Sequence, residues 1–193
     1  MSTPAANEEP VIPAGVEREL RRAQDMFITR WGEMGQTWGI NRTMAEIHAL
    51  LYIVASPLST DDVMERLNIS RGNASMSLRS LCDWGIIHRQ HKRGERREYF
   101  ESVSDVWEMF GLIAAERKRR EMDPVLAAIR QCRDMLEEDS LGKAAKLPAV
   151  AATRKRLDGM EEFMEVTNKI LAPFVGNARS GLTRLVKVLL KAL

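Results

Sequence analysis

Two short helical patterns between Ser59 and Asp83, split by a turn of a few residues at Asn68-Ile69 and followed at once by a change of period, constrain this chain most. The first pattern opens on Ser59 as N-cap, with Asp62 three residues on and Leu58 and Val63 spaced as a hydrophobic staple. It ends near Asn68. Ser70 can cap the second pattern immediately, so 71–83 reads as a helix joined tightly to the one before it, a helix-turn-helix. After Trp84-Gly85, residues 86–92 and 97–102 read as two strands joined by Arg93-Gly94-Glu95-Arg96, a basic hairpin tip containing glycine. The expected fold is therefore mainly α: a winged helix-turn-helix with a small β-hairpin wing and flanking dimerisation helices.

The flanking segments supply the helices. From Val16 to Trp38 the positions Leu20, Phe27, Met34 and Trp31, Trp38 repeat at sevens, a narrow heptad-like seam. A second helix over 43–55 puts Met44, Ile47, Leu50, Leu51 and Val54 on one face and stops at Ser56-Pro57, because the residue before proline avoids helical torsions. A long helical stretch starts at Asp105, and Pro124 either opens a new helix or kinks the same one. The last third, with Leu157, Met160, Phe163, Met164 and later Leu182, Leu185, Val186, Leu189, Leu190 and Leu193, is helical and amphipathic. This predicts a flexible tail over 1–13, an N-terminal dimerisation helix over 14–41, a DNA-binding winged helix-turn-helix over 42–104 and a helical dimerisation region over 105–193.

Composition narrows the functional class. Two cysteines fifty positions apart, Cys82 and Cys132, support neither a disulfide framework nor a zinc module. The N-terminus, with Glu8 and Glu9, lacks the apolar core of a signal peptide, and no stretch has the length of a membrane span, so a cytoplasmic protein without a membrane partner is expected. The net charge of +2 conceals a local +5 over 71–97, where seven basic residues face only Asp83 and Glu95. Such a run is compatible with a nucleic-acid footprint and also with a solvated face.

The second helix of the pair carries the functional reading. At about 100° per residue, Ala74, Leu78, Leu81 and Cys82 share one face, while Asn73, Met76, Arg79, Ser80 and Asp83 share much of the other. A helix of these dimensions fits the major groove, where asparagine pairs bidentately with adenine, arginine pairs with guanine, and a Met76 side chain can touch a thymine methyl. Ser70, Arg71, Gly72 and Ser75 near its start suit phosphate contacts, although small polar residues there can equally be caps. At the hairpin, Arg93, Arg96 and Arg97 suit a narrow minor groove, with Lys92 or Arg89 on the flanking backbone. Glu95 among them is expected to be structural, fixing one of the arginines.

Over 70–105 the chain resembles the GbsR-like branch of the MarR-type winged-helix regulators. The resemblance is carried by Gly72-Asn73-Ala74-Ser75, by Leu81, Trp84 and Gly85 at the helix end, and by Gly94-Glu95-Arg96-Arg97 followed by Tyr99-Phe100-Glu101. It extends over about 25–138, and the region 139–193 departs from the shorter family pattern. The resemblance implies a homodimer on double-stranded DNA, with the helix from Ser70 in the major groove and a wing arginine in the minor groove. It also implies transcriptional control, with repression the expected direction.

Other signals carry less. His88 and His91, three apart on a strand, point to opposite faces and make a poor metal pair. Gly32, Gly35 and Gly39 lack the spacing of a nucleotide-binding loop, and no catalytic motif is present, so neither an enzyme nor a cofactor is expected. Phe27, Trp31 and Trp38, with Trp107, form a candidate small-molecule effector pocket suited to a cationic osmolyte through cation–π attraction; core or dimer packing is the competing explanation. The basic run Arg117-Lys118-Arg119-Arg120 reads as a solvated face or as a phosphate contact. A rival function, from another class, is a winged-helix protein-interaction module whose C-terminal amphipathic region docks a partner helix or a membrane surface.

Overall fold

In a computed structural model of the chain, which describes residues 13–91 and 93–172, two compact units emerge. The first runs to Asp83 and takes in 87–102; the second comprises 84–86 and the chain from Val103 onward. Of the tail expected over 1–13, residues 1–12 lie outside the described residues, as do Lys92 and the leucine-rich segment 182–193. No helix among the described residues is long and apolar enough to cross a membrane.

The first unit opens with α1 (Ala14–Thr37) packed on α2 (Arg42–Val54). Two glycines allow that approach. A Cβ on Gly35 would lie 2.6 Å from the Ala45 Cβ, and one on Gly32 would lie 2.5 Å from the Glu46 side chain. Gly39, at φ +77°, turns the chain out of α1, and Asn41 then caps α2 by accepting from the Met44 N–H at 3.1 Å. Strand β1 (Leu58–Ser59) leads into α3 (Thr60–Leu67), whose start is a capping box: Ser59 Oγ accepts from Asp62 N, and Asp62 accepts from Ser59 N at 2.8 Å. Asn68, in the left-handed region at φ 51°, ends α3 and turns the chain toward α4 (Arg71–Asp83).

Strands β2 (Ile87–His91) and β3 (Glu98–Ser102) form the hairpin with Gly94 at φ +89°. The sheet order is β1-β3-β2, all antiparallel, with Ser59 opposite Tyr99 and Gln90 opposite Tyr99 from the other side. The two-residue β1 has no pattern of its own and was not expected. Ile47, Leu50, Leu51, Val63, Leu78, Leu81 and Ile87 are almost wholly buried in this unit, so α2, α3, α4 and β2 all contribute to its core.

In the second unit Asp105 caps α5 (Val106–Arg117), accepting from the N–H groups of Trp107 and Glu108. A π-helical turn over 118–122 joins it to α6 (Asp123–Asp134). Pro124 accounts for the widening: it has no N–H to donate and its ring crowds the carbonyl one turn back, so it kinks a continuing helix. Short α7 (Glu138–Leu141) and a 3-10 turn precede α8 (Pro148–Leu171). Arg130 tethers α6 to α8 through Glu161 at 2.8 Å and Glu165 at 2.9 Å, and Arg133 does so through Asp158 at 2.7 Å and Glu161. The Arg130 hydrogen bond is the main reason the Glu161 carboxyl lies below its ordinary range.

Candidate nucleic-acid interface

Helix α4 buries Ala74, Ser77, Leu78 and Leu81 and turns its other side outward. Ser70, Arg71, Gly72, Ser75, Met76 and Arg79 are exposed, while Asn73 and Ser80 are half-buried. Met76 is 65% exposed. Ser70 acts as a cap, its Oγ accepting from the Asn73 N–H at 3.3 Å. Two members of the face have partners that sequence reasoning missed. Arg71 donates to Asp61 at 2.5 Å, and the Asn73 amide Nδ2 donates to Thr43 Oγ1 at 3.3 Å. Neither pairing leaves a sequence signal, since the partners are ten and thirty residues away.

The hairpin tip exposes Arg93, Arg96 and Arg97. Among the described residues, Arg79, Arg93 and Arg96 make no ion pair. Glu95 departs from the expectation that it fixes an arginine: its carboxylate accepts from the Tyr99 hydroxyl instead. Tyr99, four residues on and at the centre of the sheet, brings its hydroxyl to the tip, and that hydrogen bond is the main cause of its phenol lying above its ordinary range. Glu95 is thus engaged by a tyrosine, and among the described residues it makes no ion pair with the arginines. Arg89, on β2, pairs with Glu98 at 3.6 Å.

The aromatic residues of α1 meet α2. Phe27 lies 5.6 Å from Trp31 and 6.3 Å from Tyr52, ring centre to ring centre, and Trp31 lies 5.9 Å from His48. Trp38 sits two turns beyond Trp31, half exposed at the end of α1, and Trp107 is exposed at the start of α5 in the other unit. His48 and Tyr52 share the four-residue spacing of Phe27 and Trp31, the signal that could have found them. His48 is buried, its Nε2 meets no hydrogen-bond partner among the described residues, and burial pushes its imidazole down to about 4, so it is neutral at pH 7.

The basic run at the end of α5 is neutralised where it stands. Arg117 pairs with Glu121 at 3.1 Å, Lys118 with Asp123 at 2.5 Å and Arg119 with the buried Glu116 at 2.7 Å, while Arg120 lies over the Trp84 ring at 5.7 Å.

Comparison with known proteins agrees with this geometry. The MarR family model matches residues 38–98, which contain α2 to β2 and the start of β3. The HTH-type transcriptional repressor GbsR of Bacillus subtilis (strain 168) is 23% identical over 137 residues, 66% of this chain and 76% of its own length. The HTH-type transcriptional repressor OpcR of the same organism is 23% identical over 131 residues, 66% of this chain and 71% of its own length. A solved structure described as a transcriptional regulator shares the fold at a TM-score of 0.52 and 21% identity, covering 80% of this chain and 96% of that one. Residues 38–98 of the chain therefore form a MarR-family domain with a winged helix-turn-helix fold, and its relatives at low identity are transcriptional repressors.

Proposed function

We propose that this protein is a homodimeric repressor that binds a pseudo-palindromic duplex DNA operator, with α4 in the major groove and the wing in the minor groove. The observation that carries the reading is the set of cations without an ion pair among the described residues, Arg79 on α4 and Arg93 and Arg96 on the hairpin tip, within one compact unit. Cations that are solvated and unpaired release counterions when they meet phosphate, whereas paired ones must first give up a partner. In this reading Asn73 and Arg79 pair with adenine and guanine edges, Met76 touches a thymine methyl, and Ser80 lies beside them. Ser70, Arg71, Gly72 and Ser75 approach phosphates at the helix start, where no atom crowds the position of a Gly72 Cβ. Arg96 enters the minor groove, and Lys92, Arg93 and Arg97 meet the flanking backbone.

Dimerisation places two such helices about one turn of duplex apart, ~34 Å, which gives the operator its two-fold character. The exposed apolar positions Val16 and Leu20 on α1 and Met160, Phe163, Val166 and Ile170 on α8 supply surface for such pairing. The test is selection from a random-sequence duplex library by the full chain at low salt, followed by sequencing. A two-fold motif with half-sites one helical turn apart is the expected result. Absence of any preferred motif overturns the reading and favours a protein-interaction module.

A further inference from the structure

We propose that Thr43, on α2, is a positioning residue that orients the Asn73 amide for reading adenine, a role that rests on the DNA-reading assignment of α4. The observation is the hydrogen bond from Asn73 Nδ2 to Thr43 Oγ1, 3.3 Å long and part-buried, between residues thirty apart. A primary amide has two N–H donors and one carbonyl oxygen. Two-pronged pairing with adenine uses the oxygen and one N–H, so the second N–H is surplus. Half-buried where α4 packs on α2, that surplus donor needs a protein acceptor, and Thr43 supplies it.

The bond also decides which way the amide faces. The terminal torsion of asparagine is broad and roughly two-fold, so an untethered amide presents its oxygen and its nitrogen in either order. With the nitrogen tied to Thr43, the oxygen and the remaining N–H are set in one order. Both ends of the tether are fixed. Asn41 caps the first turn of α2, and Arg42 is held to Glu46 at 2.7 Å, while Ser70 caps the backbone N–H of Asn73 itself. Thr43 thereby contributes to base choice through Asn73, without a base contact of its own.

The test repeats the random-duplex selection with the wild-type full chain and with Asn73→Ala, Thr43→Val, Thr43→Ala and Thr43→Ser, and measures the melting temperature and the salt slope of each. Asn73→Ala removes the adenine preference at one position of each half-site. Thr43→Val lowers that preference about ten-fold at the same position alone, a bidentate pair being partly lost. The preference read by Arg79 and the salt slope stay as in the wild type. Thr43→Ser, which keeps the hydroxyl, restores the adenine preference, and Thr43→Ala gives the valine result independently of how valine packs.

An unchanged motif in both Thr43→Val and Thr43→Ala overturns the positioning role and leaves the DNA reading intact. An even loss of affinity at every position also overturns it, because that is the mark of a merely structural residue. An unchanged motif in Asn73→Ala overturns the assignment of Asn73 and the role of Thr43 together.

Discussion

Two basic clusters, one at 93–97 and one at 117–120, lead opposite lives in this protein. At the hairpin tip Arg93 and Arg96 are exposed with no ion-pair partner among the described residues, and the one acid among them, Glu95, is occupied by Tyr99. Between α5 and α6, Arg117, Lys118 and Arg119 each hold an acid, and Arg120 covers Trp84. Exposed pairs of the second kind are each worth only ~0–1 kcal/mol to the fold, yet they remove the cations from easy reach of a polyanion. A run of like charges in a sequence therefore says little about binding until its partners are known.

The largest effect expected is that of Arg93, Arg96 and Arg97 all changed to Ala. In the proposed dimer two wings each lose three cations, and affinity for the selected duplex falls by about a thousand-fold at physiological salt. A loss under ten-fold in a fluorescence-anisotropy titration contradicts the role of the wing.

Acid sharpens the comparison by acting on the fold beneath it. His48 is held neutral at about 4 when folded, against the ordinary 6.5 when unfolded. As pH falls below 6.5 the unfolded chain takes the proton first, so stability is full above 6.5 and declines until about 4, by roughly 3 kcal/mol. Urea titrations at stepped pH should show that decline in the wild type and a smaller one in His48→Phe. An equal decline in both removes His48 as its cause.

Changing Asn73 or Arg79 singly to Ala comes next, with an expected loss of about thirty-fold in discrimination at one base position each. Arg71 is the intermediate case between the two clusters, a cation on α4 held by Asp61. Asp61→Asn should free it, raising affinity by about three-fold and steepening the salt slope by about two, one for each protomer. No change in slope means that Arg71 does not reach phosphate. Smallest of all is the change of Arg117 and Arg119 to Ala, expected to alter binding by less than about two-fold.

Much of the first unit was legible because its signals are local. The Ser59 and Asp62 capping box, the end of α3 at Asn68 and the Gly94 hairpin all involve residues within a few positions of one another. What escaped depends on the chain returning on itself: β1 acquires its identity only by pairing with β3. Gly32 and Gly35 looked empty of function as a motif, and their use is steric, letting α1 approach Ala45 and Glu46 of α2. The exposed face of α4 followed from helical geometry, but the tethers at Thr43 and Asp61 did not, because no local pattern links residues 43 and 73 or 61 and 71.

The claim that unpaired cations make the interface is tested most directly by the salt dependence of binding to the selected duplex, measured for three proteins. The wild type should give a slope of log K against log salt of roughly −5 to −9, for about 3–5 phosphates per protomer. The wing variant should be shallower by about 3 to 5, and the Arg117 and Arg119 variant unchanged. A flat wild-type response, or a slope that falls as much for the α5 variant as for the wing variant, contradicts the account.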